Sequence, residues 1–234
     1  MAPLRPMVES VAVGHRLTRR FVAAAGPVLA LDEVDVDVPR GLLTVIAGPS
    51  GSGKSTLLGL LACADRPDSG TVTIGDVDVL ALGSRARRRL RRESIGIVLP
   101  QPSDNLLDQL DAAGNLAWST KQRRGRAASA AATATEAELL ASVGLAGAGA
   151  KRVRQLSTGE QQRLAVACAL TGAPQLVVAD EPTASLDRAN AEGLVEVLRA
   201  AASRGATLVV ASHDEHVIEA ADTVVRLERG RRVA

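Results

Sequence analysis

Gly48-Pro49-Ser50-Gly51-Ser52-Gly53-Lys54-Ser55-Thr56 has the residue types and the spacing to hold a phosphate. Its three glycines let the backbone take turns that a Cβ forbids, so successive N–H groups can converge on one anion. A helix beginning near Gly53 adds the positive end of its dipole to the same point. Lys54 is placed to reach β- and γ-phosphates, and the Ser55 hydroxyl to take one position on Mg²⁺. An ordinary Gly/Ser turn before a helix explains the glycines but not a lysine and a hydroxyl in this register.

Asp180-Glu181 is the second group with chemistry to offer. Four apolar residues, Leu176–Ala179, precede it and read as a buried strand, so both carboxylates fall at the C-terminal tip where open α/β sheets bind ligands. Asp180 would hold Mg²⁺ through water, and Glu181 would orient and deprotonate an attacking water. Capping of the following helix is the alternative use for such a pair.

The surrounding chain alternates strands and helices. Val28 to Val38 alternates cleanly, Val34, Val36 and Val38 against Asp35 and Asp37, which predicts an antiparallel strand with one wet face. Leu42–Ala47 is apolar throughout and predicts a central strand buried on both faces. Thr71–Ile74 and Ile95–Leu99 read as further strands. After Lys151 come a helix through Leu164–Leu170, strand Leu176–Ala179, helix Asn190–Ala202, strand Thr207–Ala211, helix Glu215–Ala221 and strand Val224–Leu227. Such alternation predicts an α/β fold with a parallel sheet covered on both sides. Ser103 to Ala150 is alanine-rich, punctuated by Gly125 and Gly144–Gly149, and reads as a small helical insertion in which Trp118 packs.

Composition excludes several classes. With 234 residues, 46% hydrophobic and 23% charged, the chain suits one large globular α/β domain. A net charge of +2 gives no field for nucleic acid. Ser84–Arg92 holds six arginines, but with one Phe, one Trp and no Tyr in the chain no aromatics interleave to stack bases, and a solvated helix face is expected. Cys63 and Cys168 lie far apart in apolar runs and read as buried small hydrophobes in a reducing compartment. His15 and His216 are expected at the surface. No run approaches the roughly 18 apolar residues of a membrane span, so any spans must come from another polypeptide.

Gln155-Leu156-Ser157-Thr158-Gly159-Glu160-Gln161-Gln162-Arg163, with the phosphate loop upstream and Asp180-Glu181-Pro182-Thr183 downstream, resembles the signature of ABC-type ATPases. The resemblance runs from about Val11 to Arg232. It implies a P-loop NTPase with a mostly parallel central sheet, an antiparallel β-subdomain and a small α-helical subdomain. The whole is expected as one domain over 8–232, with core and β-subdomain in 8–100 and 151–232 and helical subdomain at about 102–158. It also implies ATP and Mg²⁺ as ligands and a head-to-tail dimer, with ATP bound by the loop of one subunit and by Ser157, Gly159 and Glu160 of the other. That second subunit is either another copy or a paralogue.

Further matches follow from the same resemblance. Phe21 is similar to the aromatic that stacks on adenine, with a core position as its alternative. Ala184-Ser185-Leu186-Asp187 resembles the loop that crosses the dimer, and His213 resembles the histidine that senses the γ-phosphate. Ala64-Asp65-Arg66-Pro67-Asp68-Ser69-Gly70 and Asp104-Asn105-Leu106-Leu107 are similar to the lipoprotein-release and macrolide-export subfamily. The expected function is ATP hydrolysis on the cytoplasmic face of the membrane, driving a transmembrane permease that selects the cargo. The alternatives are an ABC-type ATPase acting on nucleic acid or the ribosome, and a divergent subunit that hydrolyses weakly.

Two departures from the family pattern carry expectations. Thr158 stands where glycine is usual, and would be strained if the position needs φ > 0. Pro100 occupies the place of the metal-sensing glutamine, with Gln101 one residue late, so altered magnesium sensing is expected.

Overall fold

Alternation in the second strand holds over its second half, where Val34, Val36 and Val38 are buried while Asp35 and Asp37 are exposed, but not at Val28 and Leu29, which are both exposed. A computed structural model describes residues 9–23, 26–123 and 134–233; Gly125 and residue 8 lie outside the described residues. Strands β1 (Ser10–Ala23) and β2 (Gly26–Pro39) form a long antiparallel ribbon. Next come β3 (Leu43–Ala47), helix α1 (Lys54–Leu61), β4 (Ser69–Ile74), β5 (Val77–Asp78), α2 (Ser84–Ser94) and β6 (Ile95–Val98). Helices α3 (Ala112–Arg123) and α4 (Glu136–Ser142) precede α5 (Thr158–Leu170) and β7 (Leu176–Asp180). The chain closes with α6 (Arg188–Ser203), β8 (Leu208–Ser212), α7 (Glu215–Glu219), β9 (Thr223–Glu228) and β10 (Arg231–Val233).

Two sheets result. The smaller is antiparallel, in the order β2-β1-β4-β5. The larger runs β10-β9-β3-β8-β7-β6, parallel except for the edge strand β10. Sequence reading found the inner strands but missed β1, β5 and β10. β1 is hidden by a His-Arg-Leu-Thr-Arg-Arg stretch and by register shifts that break its alternation.

Each inner strand serves two cores. Leu208 and Val210 face the cluster formed with α3 to α7, while Val209 and Ala211 face the cluster formed with α1 and the antiparallel sheet. Strands buried on both sides have no wet face, which is why their sequences show no polar alternation. Removing a fully buried leucine from either core, such as Leu164 or Leu57, would cost about 2–5 kcal/mol.

Register decides where the chemistry emerges. Ala47 is level with Ser212, and Asp180 with Ala211. The residues that follow these strand ends, Gly48, Glu181 and His213, therefore leave the sheet side by side on three adjacent strands, which neighbour at about 4.8 Å.

Candidate active site

The phosphate loop is shaped by what surrounds it. Gly48 has φ +155°, and a Cβ there would overlap the Leu227 carbonyl of β9 and stand 2.7 Å from Ser52 Oγ. Gly53 caps α1 in the left-handed region at φ +103°. Lys54, 5% exposed, donates to the carbonyls of Gly48 at 2.8 Å and Pro49 at 3.1 Å and pairs with Glu181 Oε1 at 3.2 Å. A buried ammonium requires such partners, since an unpaired one is expensive. Pro49, Ser50 and Gly51 form the exposed tip of the loop, and Thr56 is half-buried in the first turn of α1.

Ser52 Oγ is buried and has no hydrogen-bond partner among the described residues. An orphaned hydroxyl in a glycine cradle that a Cβ would fill fits a phosphate oxygen. The metal donors are also in place: Ser55 Oγ donates to Asp180 Oδ1 at 3.0 Å. Burial pushes the Asp180 carboxyl above its ordinary range, and neighbouring Glu181 pushes the same way; the Ser55 hydrogen bond and Lys54 oppose them. A half-buried carboxylate short of positive charge, beside a hydroxyl, fits a hard divalent cation.

Glu181 leaves β7 in a left-handed turn, φ +43°, while its N–H still donates to the Ala211 carbonyl at 2.9 Å. A non-glycine residue held there stores on the order of 1 kcal/mol of strain. Its carboxylate meets His213 Nδ1 at 3.0 Å and shares Lys54. Lys54, Glu181 and His213 thus form one connected group, and Asp180, the residue before Glu181, is bonded to Ser55.

Ser157, Gly159 and Glu160 lie at the start of α5. Ser157 Oγ accepts the Glu160 N–H at 3.2 Å, and Glu160 Oε2 accepts the Ser157 N–H at 2.7 Å. This reciprocal cap satisfies two orphan donors of the helix. The Ser157 N–H holds the Glu160 carboxyl below its ordinary range, with further help from the Ser157 hydroxyl, Lys151 and Arg163 against burial. Among the described residues no hydrogen bond or ion pair joins this helix start to the phosphate loop. Asp187 caps α6 through the Asn190 N–H at 2.9 Å.

The structure bears on several further expectations. Thr158 is the first residue of α5 and does not have positive φ, so no strain attaches to it. Phe21 is not a core residue: it is 40% exposed near the end of β1, with the Arg19 guanidinium 4.7 Å above its ring. Trp118 does not pack into the interior; it is 47% exposed, because α3 buries Ala112, Asn115 and Leu116 on its opposite side. Gln101 is exposed and its side chain makes no hydrogen bond to Ser55 or Asp180 among the described residues. Cys63 and Cys168 are buried and His15 and His216 exposed, as expected.

Positioning residues escaped sequence reading. Asn105 closes the loop after β6, accepting the Leu99 N–H at 2.7 Å and donating to the carbonyls of Leu99 at 3.0 Å and Gln101 at 2.8 Å. An asparagine just past Pro-Gln-Pro is a turn signal, and that was the clue available. Buried Gln162 of α5 donates to the same Leu99 carbonyl at 3.3 Å, a link no sequence signal reveals.

Comparison with known proteins decides the family. Residues 31–184 match the ABC transporter family model. The lipoprotein-releasing system ATP-binding protein LolD of Anaeromyxobacter dehalogenans is 42% identical over 213 residues, covering 90% of this chain and 88% of that protein.

The chain belongs to the ABC transporter family.

The macrolide export ATP-binding/permease protein MacB of Burkholderia pseudomallei is 38% identical over 225 residues, covering 93% of this chain and 33% of that protein. The chain thus spans about a third of the length of these macrolide export relatives. Among solved structures, a dimeric post-hydrolysis state of the ATP-binding cassette MJ0796 bound to ADP and Pi superposes with TM-score 0.81 at 30% identity. The superposition covers 95% of this chain and 97% of the cassette.

Proposed function

We propose that this ABC cassette works as a head-to-tail dimer that hydrolyses ATP between the phosphate loop of one subunit and the Ser157–Gly159–Glu160 helix start of the other, and so drives a membrane permease. One observation carries the reading. Lys54, Asp180, Glu181 and His213 are assembled within a single chain, while among the described residues no hydrogen bond or ion pair joins the equally well-formed α5 start to them.

Ser55 and Asp180 would hold Mg²⁺, which would supply charge neutralisation for the nucleotide's phosphates. Lys54 exchanges Glu181 for those phosphates, which frees the Glu181 carboxylate to take a proton from the attacking water. His213 holds Glu181 in place through Nδ1 and senses the γ-phosphate side of the site. Ser157 hydroxyl and the Gly159 N–H, at the positive end of α5, face the γ-phosphate from the opposite subunit. Asp187 crosses the dimer, and Phe21 stacks on adenine beneath Arg19. Gln101 would be a further ligand of that metal if the loop closed by Asn105 shifted. Unchanged Mg²⁺ dependence and turnover in Gln101→Ala would remove it from the ligand set.

The domain spans 8–232, with about 102–158 as its helical part. The permease contact is placed at a cleft of about 540 Å³ whose lining includes Arg88, Arg91, Arg92, Ile97 and Trp118. Exposed apolar side chains beside the Gln101 loop suit a segment of a membrane subunit. Among the described residues no helix is long and apolar enough to cross a membrane, and the relatives named above belong to transport systems. Attachment to the cytoplasmic face through a permease is part of the proposal. Macrolides and lipoproteins, taken from those relatives' names, are the two cargo classes to try first.

The decisive experiment is Glu181→Gln in the full chain. Turnover should fall about 10²–10⁴-fold, and Mg-ATP should trap a dimer in sedimentation. A variant that hydrolyses near the wild-type rate, or stays monomeric at saturating Mg-ATP, would sink the proposal.

A further inference from the structure

Two parts of the proposed interface, the α5 start and the Asp187 loop, belong to different elements, yet one side chain joins them. Asn190, in the first turn of α6, donates its backbone N–H to Asp187 Oδ1 at 2.9 Å and its side-chain amide to Asp187 Oδ2 at 2.8 Å. Both carboxylate oxygens are thereby engaged inside the subunit. The carbonyl end of the same amide turns to Gly159. A Cβ added there would overlap Asn190 Oδ1 and stand 2.9 Å from Asn190 Cβ. Gly159 is buried, and it is not among the glycines with positive φ. What glycine provides at this position is therefore room, not backbone freedom.

We propose that Asn190 is a positioning residue that clamps the start of α5 to the Asp187 loop, so that Ser157, Gly159 and Asp187 meet a partner subunit as one rigid surface. On this account glycine is required at 159 because Asn190 fills its side-chain space, a cause internal to one chain. The side chain at 190 must donate with one atom and fit a short gap with the other. Aspartate would oppose Asp187 with like charge, and alanine would leave Asp187 Oδ2 without its donor. The positioning role rests on the dimer reading above; the contact between Asn190 and Gly159 does not.

The test uses the full chain in four forms: wild type, Gly159→Ala, Asn190→Gly and the double variant. Gly159→Ala should lower Tm and cut turnover about tenfold or more, and adding Asn190→Gly should return both to the level of Asn190→Gly alone. Additive losses of Tm would overturn the contact. Where Gly159→Ala does not fold, recovery of folded protein by Asn190→Gly reads the same coupling, and no recovery overturns it. The positioning role is measured with Asn190→Ala. Its kcat should fall about three- to tenfold while KM for ATP and affinity for ADP stay within about twofold. A lower Tm with unchanged kcat per folded molecule would overturn that role. If Glu181→Gln remains monomeric with Mg-ATP while positions 159 and 190 still couple in Tm, the dimer reading and the positioning role fall and the intrasubunit contact stands.

Discussion

The two helix starts proposed to meet the nucleotide, the loop before α1 and the cap of α5, are built in opposite ways. At the first, the cation is buried and spends its donors inside the chain: Lys54 meets Gly48, Pro49 and Glu181. At the second, the polar groups are exposed at Ser157 and Thr158, and the cap closes on itself. A buried charge must be matched before any ligand arrives, so the phosphate loop stands ready in an internally compensated state. An exposed cap owes nothing further to its own chain. That difference is what one expects when one end grips the nucleotide permanently and the other meets it only on association.

The sharpest way to break this contrast is to damage each end and mix the products. Lys54→Ala should lose ADP binding, whereas Ser157→Ala should keep it, and each alone should lose turnover by about 10²-fold or more. Mixed in equal amounts, they should recover about a quarter of wild-type activity, since half the dimers contain one intact composite site. A mixture as inactive as its components would mean the two ends do not serve the same nucleotide.

The thiols sharpen the comparison of interior with surface. Burial pushes both Cys63 and Cys168 up to about 11, so neither should react with a thiol reagent near neutral pH until the chain unfolds, when both should. Reaction of either in the folded chain would place it at the surface.

A smaller effect is expected at Thr158. Placed at the first helical position with ordinary φ, it should gain nothing from the glycine usual in the family. Thr158→Gly should cost up to about 1 kcal/mol of stability by denaturant unfolding and leave turnover unchanged. A stabilised variant would mean that the backbone there is strained after all.

The smallest effect is electrostatic. Glu160 titrates below its ordinary value in the folded chain, chiefly because it accepts the Ser157 N–H. Its contribution is therefore complete above the ordinary carboxylate range and is lost as pH falls through the lowered folded value. The Tm gap between wild type and Glu160→Gln should be present near neutral pH and close on the acid side, below about pH 4. A gap that widens in acid would contradict the cap.

Much of this was legible in the order of residues. Leu42–Ala47 and Leu176–Ala179 announce doubly buried strands, because no polar residue could be placed on either face. Asp180-Glu181 directly after such a strand had to emerge at its tip. Whether Thr158 is strained was not legible, because its conformation depends on where α5 begins, and Ser157's cap sets that. Trp118 was misjudged because an alanine-rich helix does not declare which side it buries. Strand β1 was missed because its polar residues find partners only in folded space, as Arg19 does with Asp65 and Asp68.

Sequence alone determined the kinds of groups this protein brings to a phosphate and the chain positions at which they occur, since glycine, lysine and paired carboxylates have few other uses at those spacings. Tertiary structure alone decided who touches whom. Strand register set Glu181 between Lys54 and His213, and the packing of α6 on α5 set Asn190 against Gly159. Contacts between residues far apart in the chain depend on how layers stack and slide. No local pattern of side chains encodes that, because it is fixed only when both hydrophobic cores close together.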